Sequence, residues 1–266
     1  MKTIRITCCF ALALCAPWYS LNAQTPLNAK EIIQKADEKM RGKTSFGEMK
    51  MTIVRPTWSR EVTMKSWSKG EELALMTVLS WSALFALILI TAPARDKGAA
   101  FLKRHQEIWN WQPSIDRAIK LPPSMMMQSW MGSDFTNDDL VKESSVINDY
   151  VHKLIGSEKI GDRDCYKIEL KPKEDAAVVW GKVLSWIDKK DFLQMKVEFY
   201  DEEGYLVNTM YGKQIKTLGG KLLTSILEVV PADEPGNKTI VEYLRLEFDK
   251  PIDDAFFSLQ NMKRVN

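Results

Sequence analysis

The strongest constraint on this chain is a two-residue period in its apolar side chains. Met49, Met51 and Ile53 alternate with Lys50 and Thr52, and Val62 and Met64 alternate with Glu61, Thr63 and Lys65. Tyr166, Ile168 and Leu170 alternate with Lys167 and Glu169. Side chains two residues apart share one face of a strand, so each run has one apolar and one polar face. Turn chemistry falls between the runs: Pro56, Lys189-Lys190-Asp191, residues 201–204, and Leu218-Gly219-Gly220-Lys221, a hairpin signal. Short strands are expected at 107–112, ended by Pro113, at 185–188, 194–200 and 205–211, and a last long strand marked by Ile240, Leu244, Leu246 and Phe248. The expected class is mainly β with some α, an antiparallel sheet in one domain.

Helices are few. Residues 28–41 form an amphipathic helix, with Asn28 as cap, Glu31 three residues on as in a capping box, and Ala29, Ile32, Ile33, Ala36 and Met40 on one face. Residues 121–140 open with Pro122-Pro123, and Met126, Met127, Trp130 and Met131 fit one helical face ended by Gly132. Asp134 or Thr136 can cap a second short helix through Leu140. Residues 253–257 predict a closing helical turn.

Two apolar runs bear on location. Lys2 and Arg5 precede an apolar stretch at 6–16, and Leu21-Asn22-Ala23 offers a cleavage site, so residues 1–23 are expected to be a secretory signal. The alternative, a lipidated Cys15, is disfavoured by the bulk of Leu14. Removal of 1–23 takes Cys8, Cys9 and Cys15 and leaves Cys165, so the fold at 24–266 rests on its core. It also takes two of the 37 basic residues, leaving 35 against 35 acidic ones. A neutral chain lacks the basic excess that nucleic acid demands. Residues 73–94 carry no charge and are long enough to cross a membrane as a helix. Strand-like sequence on both sides argues instead for buried strands or an apolar insertion, because a crossing would split the sheet and leave open edges.

Thirteen Met and nine Trp are a large share for such a chain. Met adapts to several apolar shapes, and Trp adds area with one polar handle. The pairing points to an exported protein that holds something apolar. Candidates for the wall of an apolar cavity are Trp109 and Trp111, on one face of one strand, with Trp58, Met64 and Trp67. Candidates for a cover are Met125, Met126, Met127, Trp130, Met131 and Phe135. Ordinary core packing is the competing reading for all of them, although one helix face cannot bury three consecutive Met. Catalytic chemistry finds no support. His105 and His152 have no second His at metal-ligand spacing, Cys165 lies in a strand, and no nucleophile elbow, P-loop or dinucleotide fingerprint is present. No metal or cofactor is expected. Asp138-Asp139 and Asp253-Asp254 fit helix N-terminal charge.

These segments together resemble a family. The N-terminal helix, strands with Arg55-Pro56, EIWNWQP at 107–113, the Met-rich segment, IGDRDCYKIELKPK at 160–173, WIDKKDFLQMKVEFYDEEGYL at 186–206 and DDAFFSL at 253–259 are similar to the LolA-like outer-membrane lipoprotein-sorting proteins of the bacterial periplasm. The resemblance covers nearly all of 24–266 and is most specific over 107–142. It implies an incomplete antiparallel β-barrel covered by short helices that form a lid, a cavity for acyl chains, and a strand arginine that holds the lid, for which Arg55 and Arg60 are candidates beside the alternative of solvated surface residues. It implies a monomeric periplasmic carrier with acylated lipoproteins or free lipids as cargo, an inner-membrane exporter as donor and an outer-membrane acceptor. One departure is an extra apolar insertion at 77–88. Two other readings stand beside the carrier: a membrane-tethered accessory of a lipid exporter that uses 77–88 as anchor, and a module whose aromatic face binds protein.

Overall fold

The computed structural model describes residues 27–39, 42–70, 85–105, 107–140, 146–176 and 178–265. The signal segment, Met40, the part of the apolar insertion at 77–84 and Val141 to Ser145 lie outside them. Thirteen strands form one antiparallel sheet: β1 (Thr44–Arg55), β2 (Trp58–Lys69), β3 (Phe85–Ala92), β4 (Ala100–Arg104), β5 (Glu107–Gln112), β6 (Arg117–Lys120), β7 (Tyr150–Ile160), β8 (Arg163–Pro172), β9 (Lys182–Asp188), β10 (Gln194–Tyr200), β11 (Leu206–Leu218), β12 (Lys221–Pro231) and β13 (Lys238–Phe248). The order is β6-β5-β4-β3-β2-β1-β13-β12-β11-β10-β9-β8-β7, so chain neighbours pair except β6 and β7, which form the two edges, and the one long-range join is β1 with β13. The two ends do not meet, and the sheet is unclosed.

The period-two runs land where the alternation puts them. Met49, Met51, Ile53, Val62 and Met64 are all buried on one face. Leu218 pairs with Lys221 across a two-residue turn in which Gly219 and Gly220 have φ of 56° and 80°. Both positions need the left-handed region, which glycine enters without steric cost. The last strand departs from simple alternation. Register with β1 shifts between Glu48 and Met49, which pair with Arg245 and Tyr243. Leu244 is the extra residue, turned outward and 53% exposed, and the buried positions are Val241, Tyr243 and Leu246. Such bulges bend and twist a strand. Others fall between Thr63 and Met64, Leu154 and Gly156, and Phe199 and Tyr200.

One large apolar cluster lies on the concave side. It takes residues from β1 to β5 and from β7 to β13, and joins them to the helix α1 (Ala29–Glu38) and to the chain between Leu121 and Val146. α1 starts at the expected capping box: Asn28 Oδ1 accepts from Glu31 N, and Glu31 Oε2 accepts from Asn28 N. Its Ile32 and Ile33 are buried, each worth about 1.5–3 kcal/mol of transfer free energy. A second cluster lies on the opposite face of β2 to β5: Leu87, Leu89, Ala100, Leu102 and Trp111 under Phe257 and Met262 of the closing segment. That segment contains a 3₁₀ turn, Asp254–Phe256, capped by Asp253, and the short helix α2 (Leu259–Met262), capped by Ser258.

β3 is buried on both faces, with Leu87 and Leu89 on one side and Ile88 and Ile90 on the other. Residues 85–88 of the expected insertion are therefore paired strand residues, held by β2 and β4. Among the described residues, no helix is long and apolar enough to cross a membrane.

Candidate functional site

The site is built where β1, β2 and β13 begin or end and the chain from 121 to 140 lies across the concave face. That segment is not a pair of α-helices. It is three 3₁₀ turns, Pro123–Met125, Trp130–Gly132 and Asp138–Leu140, held by a bridge between Ser129 and Thr136. Met131 at φ 54° prevents a continuous helix, whereas the two prolines sit at the start of the first turn, where proline is tolerated. Thr136 is the cap of the last turn: its Oγ1 accepts from Asp139 N at 3.1 Å, while Asp139 Oδ2 accepts from Thr136 N at 2.7 Å.

Its apolar side chains point into the core. Leu121, Trp130, Phe135 and Leu140 are buried, and Met125, Met126 and Met131 are partly buried against the same cluster. Trp130 meets Phe101 edge-on at 5.6 Å. Met127 is 68% exposed. Three consecutive Met thus divide, two packing inward and one facing out.

The segment is tied to the sheet by polar contacts at one end. Arg55 Nη2 donates to Gly132 O at 2.8 Å and pairs with Asp134 Oδ1 at 3.0 Å. Thr239 Oγ1 donates to Asp134 Oδ2 at 2.6 Å and accepts from Asp134 N at 3.0 Å. Arg60 donates to Met131 O at 3.4 Å and forms an ion pair with Asp96. Both candidate arginines thus reach the segment. Their partners Asp134 and Asp96, and Thr239, which bonds Asp134, leave no local signal in the sequence, since these contacts join residues up to 105 positions apart.

The other aromatic candidates lie elsewhere. Trp109 and Trp111 do share a face, but it is the face opposite the 121–140 segment, where Trp111 is buried and Trp109 and Trp67 are partly buried. Trp67 stacks between Phe46 and Phe256, with both ring centroids at 5.4 Å. Trp58 is 49% exposed at the tip of the β1–β2 hairpin, with the Arg55 guanidinium 5.9 Å from its ring. Of the residues expected around one cavity, Met64, Met125, Met126, Trp130, Met131 and Phe135 meet in the concave cluster. Trp58, Trp67, Trp109, Trp111 and Met127 are not brought to it.

Two hollows flank these clusters. One of about 280 Å³ lies under the segment, between Arg60, Phe101, Leu121, Met125 and Trp130. A larger one of about 650 Å³ lies along Leu89, Leu244 and Val265, rimmed by Glu48, Lys65 and Lys97. Size favours the second, but its rim is charged. The first is the one that adjoins buried polar atoms lacking a partner: Arg60 Nε and Trp130 Nε1 belong to residues that line it. A third such atom, Tyr243 Oη, is in the concave cluster, where burial pushes the hydroxyl pKa well above its usual value.

Among the described residues, Cys165 and His152 have shifted pKa values. Burial first, and then Asp188, pushes the Cys165 thiol up to about 11, far from a reactive thiolate at neutral pH. His152 Nε2 donates to Val146 O at 2.6 Å, and burial holds its pKa below the usual 6.5. No group of His, Cys, Asp or Glu among the described residues could hold a metal ion.

A family model described as an uncharacterised protein matches residues 85–264. No curated protein matches the chain. Among solved structures, a DUF1329 family protein from Desulfovibrio piger is 21% identical with a TM-score of 0.73, over 88% of this chain and 97% of that one. A domain described as outer membrane lipoprotein-sorting, from Vibrio parahaemolyticus, is 22% identical with a TM-score of 0.71, over 89% and 98%. A LolA superfamily protein from Nitrosomonas europaea is 23% identical with a TM-score of 0.68, over 88% and 99%. At these identities the likeness is one of fold. The chain belongs to the family that the model defines, and its open sheet shares the fold of these solved structures.

Proposed function

We propose that this chain is a periplasmic carrier. It takes acyl chains of a lipoprotein, or of a free lipid, onto the concave face of its sheet and moves them from the inner to the outer membrane. Residues 1–23 are its signal, and 24–266 its single carrier domain. The observation that carries this reading is the construction of the concave face: a continuous apolar cluster whose cover is a run of short turns tied down chiefly by Arg55, Arg60 and Thr239. The likeness of the fold to lipoprotein-sorting proteins supports it.

Free acyl chains cost about 0.8 kcal/mol per CH₂ in water, so a carrier must cover them and yet let them go. Here Trp130, Phe135 and Leu140 fill the face when the segment lies down. Lifting the segment breaks few hydrogen bonds and opens space for chains that replace those side chains. Met64, Met125, Met126 and Met131 then supply adaptable contact. No covalent step is involved. Transfer follows differences in affinity among an inner-membrane exporter, the carrier and an outer-membrane acceptor.

The test is native mass spectrometry of protein purified from periplasm without detergent, with extracted lipids identified. A bound acylated species is expected. Met126→Glu, at a partly buried position able to accept a charge, is expected to abolish loading. A lipid-free mass in the wild type, or full loading of Met126→Glu, refutes the carrier.

A further inference from the structure

The unclosed sheet has two edges, and they are finished differently. β6 is four residues long, with Arg117 and Lys120 exposed. A short, charged edge resists pairing with another chain. β7 is eleven residues long and, among the described residues, pairs only with β8. Residues 153–159 are exposed throughout. Val151, Leu154 and Ile155 are exposed large apolar residues on this one strand. A long edge that presents apolar side chains and unpaired backbone groups invites another strand.

The bulge in β7 says which strand fits. Ile155 is its extra residue, since Leu154 lies opposite Ile168 and Gly156 opposite Lys167. Ahead of the bulge, Val151 and Lys153 lie opposite Lys171 and Glu169, on the convex face. Beyond it, Glu158 and Ile160 lie opposite Cys165 and Arg163, on the same face. Without the extra residue, Lys153 and Glu158 would point to opposite faces. Glu158 accepts from Trp186 Nε1 at 3.0 Å and from Lys167 Nζ at 3.1 Å, both at Oε2. When two antiparallel strands are related by a two-fold axis normal to the sheet, paired residues share a face. The bulge therefore allows Lys153 to sit opposite Glu158 of a second copy, and Glu158 opposite that copy's Lys153. The same register sets Val151 against Ile160, Leu154 against Ser157, and His152, whose ring burial keeps neutral near pH 7, against Lys159. Ile155 meets Gly156, which has no side chain to obstruct it. A slip that brings Glu158 opposite Val151 brings Lys153 opposite Gly156 and loses both charge pairs. We propose that β7 pairs antiparallel with β7 of a second copy in the register that joins Lys153 to Glu158, so that two chains share one continuous sheet. Both concave faces then lie on the same side of it. This dimer departs from the monomer that the family resemblance implies, and it stands apart from the carrier reading.

The test is sedimentation equilibrium of the mature protein. The wild type is expected to show a monomer–dimer equilibrium. Lys153→Glu sets like charges opposite each other twice in the dimer and is expected to weaken it about tenfold. Glu158→Lys is expected to do the same, and the two changes together, which restore opposite charges, are expected to restore the dimer. A wild type that is monomeric at every concentration overturns the proposal. So does a dimer that the single reversals leave unchanged, or one that the double reversal fails to restore. Hydrogen exchange of the wild type gives a second reading that needs no variant to fold. Amides of β7 are expected to exchange more slowly as concentration rises, while those of β6 keep their rates. Exchange in β7 that is independent of concentration overturns the pairing.

Discussion

The two faces of β2 to β5 make an informative pair, because the same strands build both. Leu87, Leu89, Leu102 and Trp111 go to one side, and Ile88, Ile90, Phe101 and Ile108 to the other. Both sides are rich in large apolar residues, and both are covered by a non-strand segment. The covers differ. On one side the closing segment is finished at its ends: Asp253 accepts from Ala255 N at 2.8 Å, Ser258 accepts from Asn261 N at 3.2 Å, and Asn261 donates to Phe256 O at 2.8 Å. Trp67, Phe256 and Phe257 stack in series beneath it. Hollows adjoin both covers, but on the concave side the cover also leaves unpartnered donors at Arg60 and Trp130. Apolar content alone therefore does not mark a ligand site. What separates the two faces is incomplete self-satisfaction beneath the 121–140 segment.

The comparison can be broken most directly by truncating one tryptophan on each side. Trp111→Ala and Trp130→Ala each remove a buried indole, and each is expected to lower unfolding free energy by about 3–5 kcal/mol, measured by urea titration. They should part in native mass spectra, where only Trp130→Ala changes the loading of acylated cargo. Equal loading of the two would erase the distinction.

Next in size is the anchor. Arg55→Ala leaves Asp134, whose side chain is 5% exposed, without its cation. Losing one member of such a pair costs about 3 kcal/mol, which corresponds to roughly 100-fold faster amide exchange at Trp130 and Asn137 when the segment opens locally. Amides in α2, on the other side, are expected to keep wild-type rates. If both covers respond alike, Arg55 supports the whole fold and not one lid.

A smaller effect probes the opposite cover. Ser258→Ala removes the α2 cap and should cost about 1 kcal/mol by urea titration, with lipid loading unchanged. A fall in loading would mean that the two faces are coupled.

The smallest effect is one of pH. Burial lowers the folded pKa of His152 below 6.5, so the neutral ring is favoured in the folded state. Its contribution is complete above pH 6.5 and is lost as pH falls below that value through the folded pKa. His152→Gln retains a donor for Val146 O without titrating, and its urea midpoint should fall less than that of the wild type between pH 7.5 and pH 5.5, read at about those values.

Much of this was legible before any coordinates. The capping box at Asn28 and Glu31, the strand at Glu107–Gln112 and the Gly219-Gly220 hairpin are local signals, carried by residues a few positions apart. Alternation also fixed that Trp109 and Trp111 share a face. It could not say which face, because a period of two is unchanged when a strand is turned over. The bulge at Leu244 shifted the phase of β13 for the same reason: the residue that breaks the alternation is chosen by its partner strand. The Met-rich segment reads as helix because its apolar spacing allows one, but left-handed Met131 and ties to Arg55, Arg60 and Thr239 go with separate turns.

By itself, then, the sequence determined a mainly antiparallel sheet, its turns, its first helix and an unusual stock of Trp and Met. Tertiary structure alone decided which of those residues meet under the 121–140 segment and which pack beneath the closing segment. The physical reason is range. Hydrogen bonding and side-chain alternation act within a few residues and leave a local imprint, whereas the contact of Arg55 with Asp134, or of Trp67 with Phe256, exists only once β1 and β13 have paired and brought distant parts of the chain together.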